Sequence, residues 1–165
     1  MSRLELIQTA LLAAFITISG AIKIPSIIPG SEFQLSAPIA VAICYVFGFK
    51  IYLIAGILSS VVGLILGTHN LLNVYIAMIF RIVVALVIFV LGKNKLSLLL
   101  CGPIASTGSR LSLALFLDKL AYPLIVAAIP GMIYTILLVM PLTLVLERIK
   151  REFWMALSMD LFIPL

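Results

Sequence analysis

Acidic and titratable side chains are scarce in this sequence. Six Asp and Glu, one His and two Cys are spread over 165 residues, and charged residues of both signs make up only 10%. A soluble domain carries about 25% charged residues, so this chain cannot build a water-facing surface all round. The single histidine, His69, excludes H-E-x-x-H and multi-histidine metal sites. Cys44 and Cys101 stand in apolar runs without metal-ligand spacing and read as small buried residues. No pair of carboxylates falls inside a hydrophobic run, so acid–base catalysis and a proton relay both lack their parts. Gly102-Pro103-Ile104-Ala105-Ser106-Thr107-Gly108 looks glycine-rich, but it has five residues between the glycines and no lysine, so it is not a nucleotide P-loop.

Apolar residues are what the chain has in excess: 64% of the sequence, with a mean hydropathy of +1.34. That is the composition of an integral membrane protein. At about 20 residues per crossing, the length accommodates six spans and leaves no room for a fused ATPase, kinase or DNA-binding module. The runs divide at their breakers into about 4–22, 35–48, 51–68, 70–91, 96–117 and 122–147. The expected fold is therefore an all-α bundle of six transmembrane helices in one domain, 1–151, followed by a short cytoplasmic or interfacial tail, 152–165. In that tail Phe153, Trp154, Leu157 and Leu161 have the spacing of one apolar helix face. The second run is short for a full crossing. It follows Pro25-Ser26-Ile27-Ile28-Pro29-Gly30, which cannot be continuous helix, so 23–34 reads as an ordered loop at the membrane surface. Glu5 and Gln8 interrupt the first run, and no A-x-A site ends it, so it reads as a retained helix and not as a signal peptide.

Six spans place both termini on one side. With that side cytoplasmic, Arg3, Lys50, Lys93, Lys95, Arg148, Lys150 and Arg151 lie inside, and only Lys23 and Lys119 outside. The positive-inside rule fixes this orientation.

The two remaining basic residues carry the chemistry. Arg81 falls eleven residues past Asn70, about 16 Å into the bilayer, and Arg110 lies eight residues before Asp118, about 12 Å below the outer surface. A central arginine costs at least about 2.5–3.5 kcal/mol and faces a bundle interior or a watery cavity. All six acids, Glu5, Glu32, Asp118, Glu147, Glu152 and Asp160, lie at helix ends, in loops or in the tail. The partner of these arginines is then an anionic ligand, or hydroxyls, backbone carbonyls or Glu32 from an inserted 23–34 loop. A brace between helices and a ligand contact stand side by side as readings.

Asn70, Asn73, Ala77, Arg81 and Ala85 form one polar and small stripe on the fourth helix. Gly102, Ser106, Ser109 and Arg110 cluster on the fifth, with Thr107 adjacent, although such residues also serve simple close packing. The sixth run carries Pro123, Pro130, Gly131 and Pro141, which allow kinks, and Tyr122 and Tyr134, whose rings end in a hydrogen-bonding tip. Gly56, Ser60, Gly63 and Gly67 on the third run, and Ala10 and Ala14 on the first, permit close helix approach.

Six helices in under 200 residues, Ala10-x-x-x-Ala14, and a Pro/Gly loop before a short second helix together resemble the substrate-binding S component of energy-coupling factor (ECF) transporters, over residues 4–151. The resemblance implies a non-enzymatic subunit of an ABC-type importer in the bacterial cytoplasmic membrane. It would capture a vitamin or related small micronutrient and deliver it inward, toppling within the bilayer against a transmembrane coupling subunit. Two separate ATPase subunits would use the ATP, and this chain would carry no cofactor, metal or nucleic acid. Ala10 and Ala14 would dock on the coupling subunit. The substrate pocket would draw on Glu32 and Gln34 of the first loop, Asn70, Asn73 and Arg81 of helix four, Ser106, Ser109 and Arg110 of helix five, and Tyr134 of helix six. Two arginines without a buried acid favour an anionic substrate over a cation such as thiamine. Nickel or cobalt is disfavoured, because metal-specific members use an N-terminal histidine, absent from Met1-Ser2-Arg3. The rival classes are a stand-alone small permease or channel, a structural or regulatory membrane subunit without a ligand, and a membrane enzyme.

Overall fold

The computed structural model describes residues 3–25, 32–34, 36–113 and 121–160. Among them are six helices: α1 (Arg3–Ala21), α2 (Ser36–Phe47), α3 (Phe49–Ile65), α4 (Leu71–Leu91), α5 (Lys95–Leu111) and α6 (Ala121–Asp160). Two short strands, β1 (Lys23–Pro25) and β2 (Glu32–Gln34), separate α1 from α2. They pair antiparallel with Lys23 opposite Gln34, Ile24 opposite Phe33 and Pro25 opposite Glu32. The segment expected as loop is thus a small hairpin at its base. Pro25 is tolerated there because the sheet has only two strands, so each has a free edge.

Two helices are long and apolar enough to cross a membrane, Leu71–Leu91 and Pro123–Phe153, with mean hydropathies of 2.9 and 2.2. Shorter apolar helices cover Glu5–Ala21, Ser36–Phe47 and Phe49–Ile65. Large side chains point outward along the bundle, among them Leu11, Ile65, Leu71, Leu86, Leu137 and Phe89, the last 89% exposed. Surface of this extent and apolarity is not left open to water by a monomeric soluble protein. The small number of charges now has its structural counterpart: the sides of the helices are apolar, Arg81 and several hydroxyls are buried, and Lys50, Asn70, Lys93 and Lys95 are exposed at helix ends.

The inner element is α2. Twelve residues give it a length of only about 18 Å, and Pro38 through Cys44 are all buried. It packs against each of the other five helices, which explains a composition apolar on every side. Lys150 of α6 closes its C-terminal end by donating to the Val46 carbonyl at 2.8 Å, with the ammonium 5.5 Å from the centre of the Phe47 ring. A cation placed there satisfies an end carbonyl and complements the helix dipole.

The connection from α3 to α4 is a tight reversal. Thr68 donates its backbone N–H to the Gly63 carbonyl at 3.0 Å and Gly67 to that of Leu64 at 3.1 Å, the paired bonds of a Schellman ending. Gly67 takes φ +70°, a left-handed conformation in which a Cβ would be strained. Asn70 then starts α4, accepting from the Asn73 backbone N–H at 2.8 Å. At the other end of α4, Gly92, Lys93 and Asn94 turn the chain into α5, so α4 and α5 run antiparallel. The sixth helix continues unbroken through Pro130 and Pro141 to Asp160, past the end of the apolar run at 147.

Candidate ligand cavity

The polar stripe of α4 faces a cavity of about 340 Å³, bounded by α1, the start of α2, α3, α4, α5 and α6. It follows α4 from Leu72 to Arg81, nine residues or about 14 Å of helix. Its apolar wall includes Ile76, Ala77, Phe80, Ala127 and Ala128, and its polar groups include Asn73, Ser106, Thr135, Tyr52 and the two arginines.

Arg81 and Arg110 both line this one space, as their depth in the sequence requires, but they are held differently. Arg81 is 6% exposed and donates from Nη1 to Ser60 Oγ on α3 at 2.9 Å, with Met78 Sδ at 3.3 Å. The α3 backbone makes room for it at Gly56, where a methyl group would run into Arg81 Nε, Cδ and Cζ. Arg110 leans back on its own helix and donates to Ser106 Oγ at 2.6 Å and to the Ser106 carbonyl at 3.2 Å. Among the described residues neither guanidinium has a carboxylate partner or a carboxylate neighbour on the cavity wall. Hydroxyls alone return about 1.5–3 kcal/mol per bond, against the cost of burying a guanidinium in an apolar bundle.

A further polar group beside the cavity is buried without a partner among the described residues. The Tyr52 hydroxyl is fully buried without a hydrogen-bond partner among the described residues, and Tyr52 lines the cavity. Buried polar atoms are nearly always paired. The atom is closed off from the cavity space, so the tyrosine contributes to the wall while its hydroxyl stays inside the bundle.

The sequence-derived positions separate on this geometry. Asn73, Arg81, Ser106 and Arg110 come together on the wall. Asn70 is instead the exposed N-cap of α4. Ser109 is buried away from the wall and donates to the Ser106 carbonyl at 3.1 Å. Tyr134 is half-buried and off the wall, where its neighbour Thr135 stands. Glu32 and Gln34 lie in the backbone of β2, and their side chains fall outside the described residues, as do Asp118 and Lys119. Ala10 and Ala14 are exposed on the outer face of α1. Tyr52 and Thr135 were not singled out from the sequence, and Ser60 was read only as a position of close helix packing. The glycine spacing on α3 was the available signal for Ser60: Gly56, Ser60 and Gly63 form a groove that receives the side chains of Arg81 and His69.

Gly56→Ala is accordingly expected to unseat Arg81. A methyl inserted into a filled space costs about 1–3 kcal/mol, and here the least fixed atoms, the guanidinium, give way first. The expected result is a loss of ligand affinity of about tenfold or more, with ellipticity unchanged, read by titration of the purified variant.

A protein from Lysinibacillus sphaericus, "Protein BioX", is 50% identical over 151 residues, covering 92% of this chain and 91% of the relative. The chain belongs to the BioX family. Half of all positions are shared, and the match is nearly end to end, so the relative has the same extent as this BioX-family chain and not merely a common segment. No protein-family model and no solved structure matches the chain.

Proposed function

We propose that this chain is the substrate-binding membrane subunit of an ECF-type importer, taking up a vitamin or related small micronutrient that carries a carboxylate. The observation that carries this reading is the cavity: two arginines share one space with hydroxyl and amide side chains and an apolar wall, with no carboxylate on its described wall. Kinship with Protein BioX supports a vitamin-related role. In this reading all six helices span the cytoplasmic membrane with both termini inside, and the lipid-facing exterior allows the subunit to topple with its ligand enclosed. Ala10 and Ala14, exposed on α1, meet the coupling subunit, whose two ATPases supply the energy. The chain itself performs no catalysis and holds no cofactor.

Recognition follows from charge. A carboxylate entering the cavity would find charge-assisted donors already in place, and charged hydrogen bonds are roughly twice as strong as neutral ones. Titration of the purified chain in nanodiscs against biotin, pantothenate, nicotinate and thiamine tests this, with biotin first in the panel because of the BioX kinship. The expected result is binding of a carboxylate-bearing member and none of thiamine; tight binding of thiamine alone contradicts the reading.

A further inference from the structure

His69, the one histidine of the chain, stands in the turn between α3 and α4, beside the end of the cavity that Leu72 and Asn73 line. The turn is pinned to α3. The Gly63 carbonyl accepts from the Thr68 N–H at 3.0 Å, the His69 N–H at 3.1 Å and the Thr68 hydroxyl at 3.1 Å. The imidazole lies on Gly63 itself, where a Cβ would meet Nδ1 at 2.6 Å and Cγ at 3.0 Å, so the missing side chain makes its seat. Its other edge reaches two further helices. A Cβ on Gly20 would stand 3.7 Å from His69 Nε2, 3.7 Å from Ser36 Cβ and 3.8 Å from Ser36 Oγ, so the end of α1, the start of α2 and the imidazole converge on one point. Gly20 and Ser36 flank the 22–35 segment, and Ser36 also lines the cavity. Within that segment β2 touches α1 on one side and α6 on the other, which lays the base of the hairpin across this end of the cavity.

We propose that His69 is a positioning residue for uptake: the neutral imidazole holds both ends of the 22–35 segment against the α3–α4 turn, keeping this end of the cavity closed over its ligand, and a proton on the ring loosens the hold. The proposal rests on the reading of this cavity as the substrate site. Histidine is the side chain that changes charge between about pH 8 and pH 5. The helices that meet here bring no other charge to this end: α1 has none beyond Glu5, α2 none at all, α3 none beyond Lys50, and α4 carries Tyr75 and then Arg81. The hairpin adds Lys23 and Glu32, whose side chains fall outside the described residues. Nδ1 is enclosed, and moving a charge out of water is costly. The charge on the same face of α3 has the same sign, since Gly56 receives Arg81 as Gly63 receives His69, seven residues or about 10 Å along the helix. Burial and repulsion both favour the open form once the ring is protonated.

Hydrogen exchange of the purified full-length chain in nanodiscs, without ligand, tests this through the protection factors of the amides at 19–21 and 37–40. From about pH 7.5 to about pH 5.5 the wild type is expected to lose protection there about tenfold, with α5 unchanged. His69→Ala is expected to show the low protection at both pH values, and Gly63→Ala, which drives a methyl into the imidazole, to resemble it. Wild-type protection that is equal or higher at the lower pH overturns the proposal without recourse to any variant. So does a His69→Ala chain that is as protected as the wild type at the higher pH, or that still responds to pH. Titration of the same preparation with biotin, pantothenate and nicotinate reads the substrate site separately. If none binds while the pH response is present, the hold at His69 stands and the substrate reading falls. If one binds while both ends ignore pH and His69→Ala, the substrate reading stands and the role of His69 is overturned.

Discussion

Replacing Arg81 with methionine is expected to destroy ligand binding while leaving the empty protein at least as stable as the wild type. The magnitudes decide the sign. Holding a guanidinium in the bundle interior costs at least about 2.5–3.5 kcal/mol, and its charged hydrogen bond to Ser60 returns about 1.5–3 kcal/mol. The two nearly cancel, and an apolar side chain of similar length removes the cost while filling the space beside Gly56. Loss of a buried, hydrogen-bonded charge partner from a ligand costs about 2–5 kcal/mol, or thirtyfold and more in affinity. A residue kept against stability is kept for its ligand. If Arg81 were only a brace between α3 and α4, the same substitution would lower the melting temperature and leave binding intact. Thermal unfolding with and without ligand reads both quantities on one sample.

The second large effect lies on the opposite surface. Ala10 and Ala14 are exposed on α1 beside Ile7, Leu11 and Ile18, an apolar face with two shallow points where a partner backbone approaches closely. Ala10→Trp with Ala14→Trp is expected to abolish uptake in cells and association with the coupling subunit. Ligand affinity of the isolated chain is expected to stay within about twofold, since neither residue touches the cavity. Uptake and binding must therefore separate: normal transport by the double variant places the docking face elsewhere, and loss of binding makes the alanines part of the bundle's own packing.

Hydrophobic runs and their breakers made the helices legible. The runs at 4–22, 35–48 and 70–91 meet α1, α2 and α4 within one residue at each end, because Pro, Gly and capping Asn punctuate them. The sixth helix outruns its apolar stretch by thirteen residues, from 147 to 160: the helical spacing of the tail was legible, but its continuity with the sixth run was not, because Arg, Lys, Glu, Met, Ala and Leu sustain a helix that hydropathy alone ends at 147. The hairpin was hidden because three-residue strands are too short to show alternation. Within the site, the arginines were legible from depth, and Ser106 from its four-residue step to Arg110. Tyr134 was chosen over Thr135 because a ring with a polar tip looks more like a ligand contact. One residue turns the side chain by about 100°, and it is Thr135 that shares the face of Gly131 and Ala128. Tyr52 gave no signal, being one aromatic in an apolar run, and only its unpaired hydroxyl marks it.

Native mass spectrometry of the tagged protein, mildly extracted from its host membranes, tests the central claim most directly, because bound subunits and bound small molecules are weighed together. The account predicts a complex with a coupling subunit and two ATPases, and on the free subunit an added mass of a small carboxylate-bearing compound that Arg81→Met no longer carries. A chain that emerges with lipid alone and without those subunits would contradict it, and would favour a stand-alone or structural membrane protein.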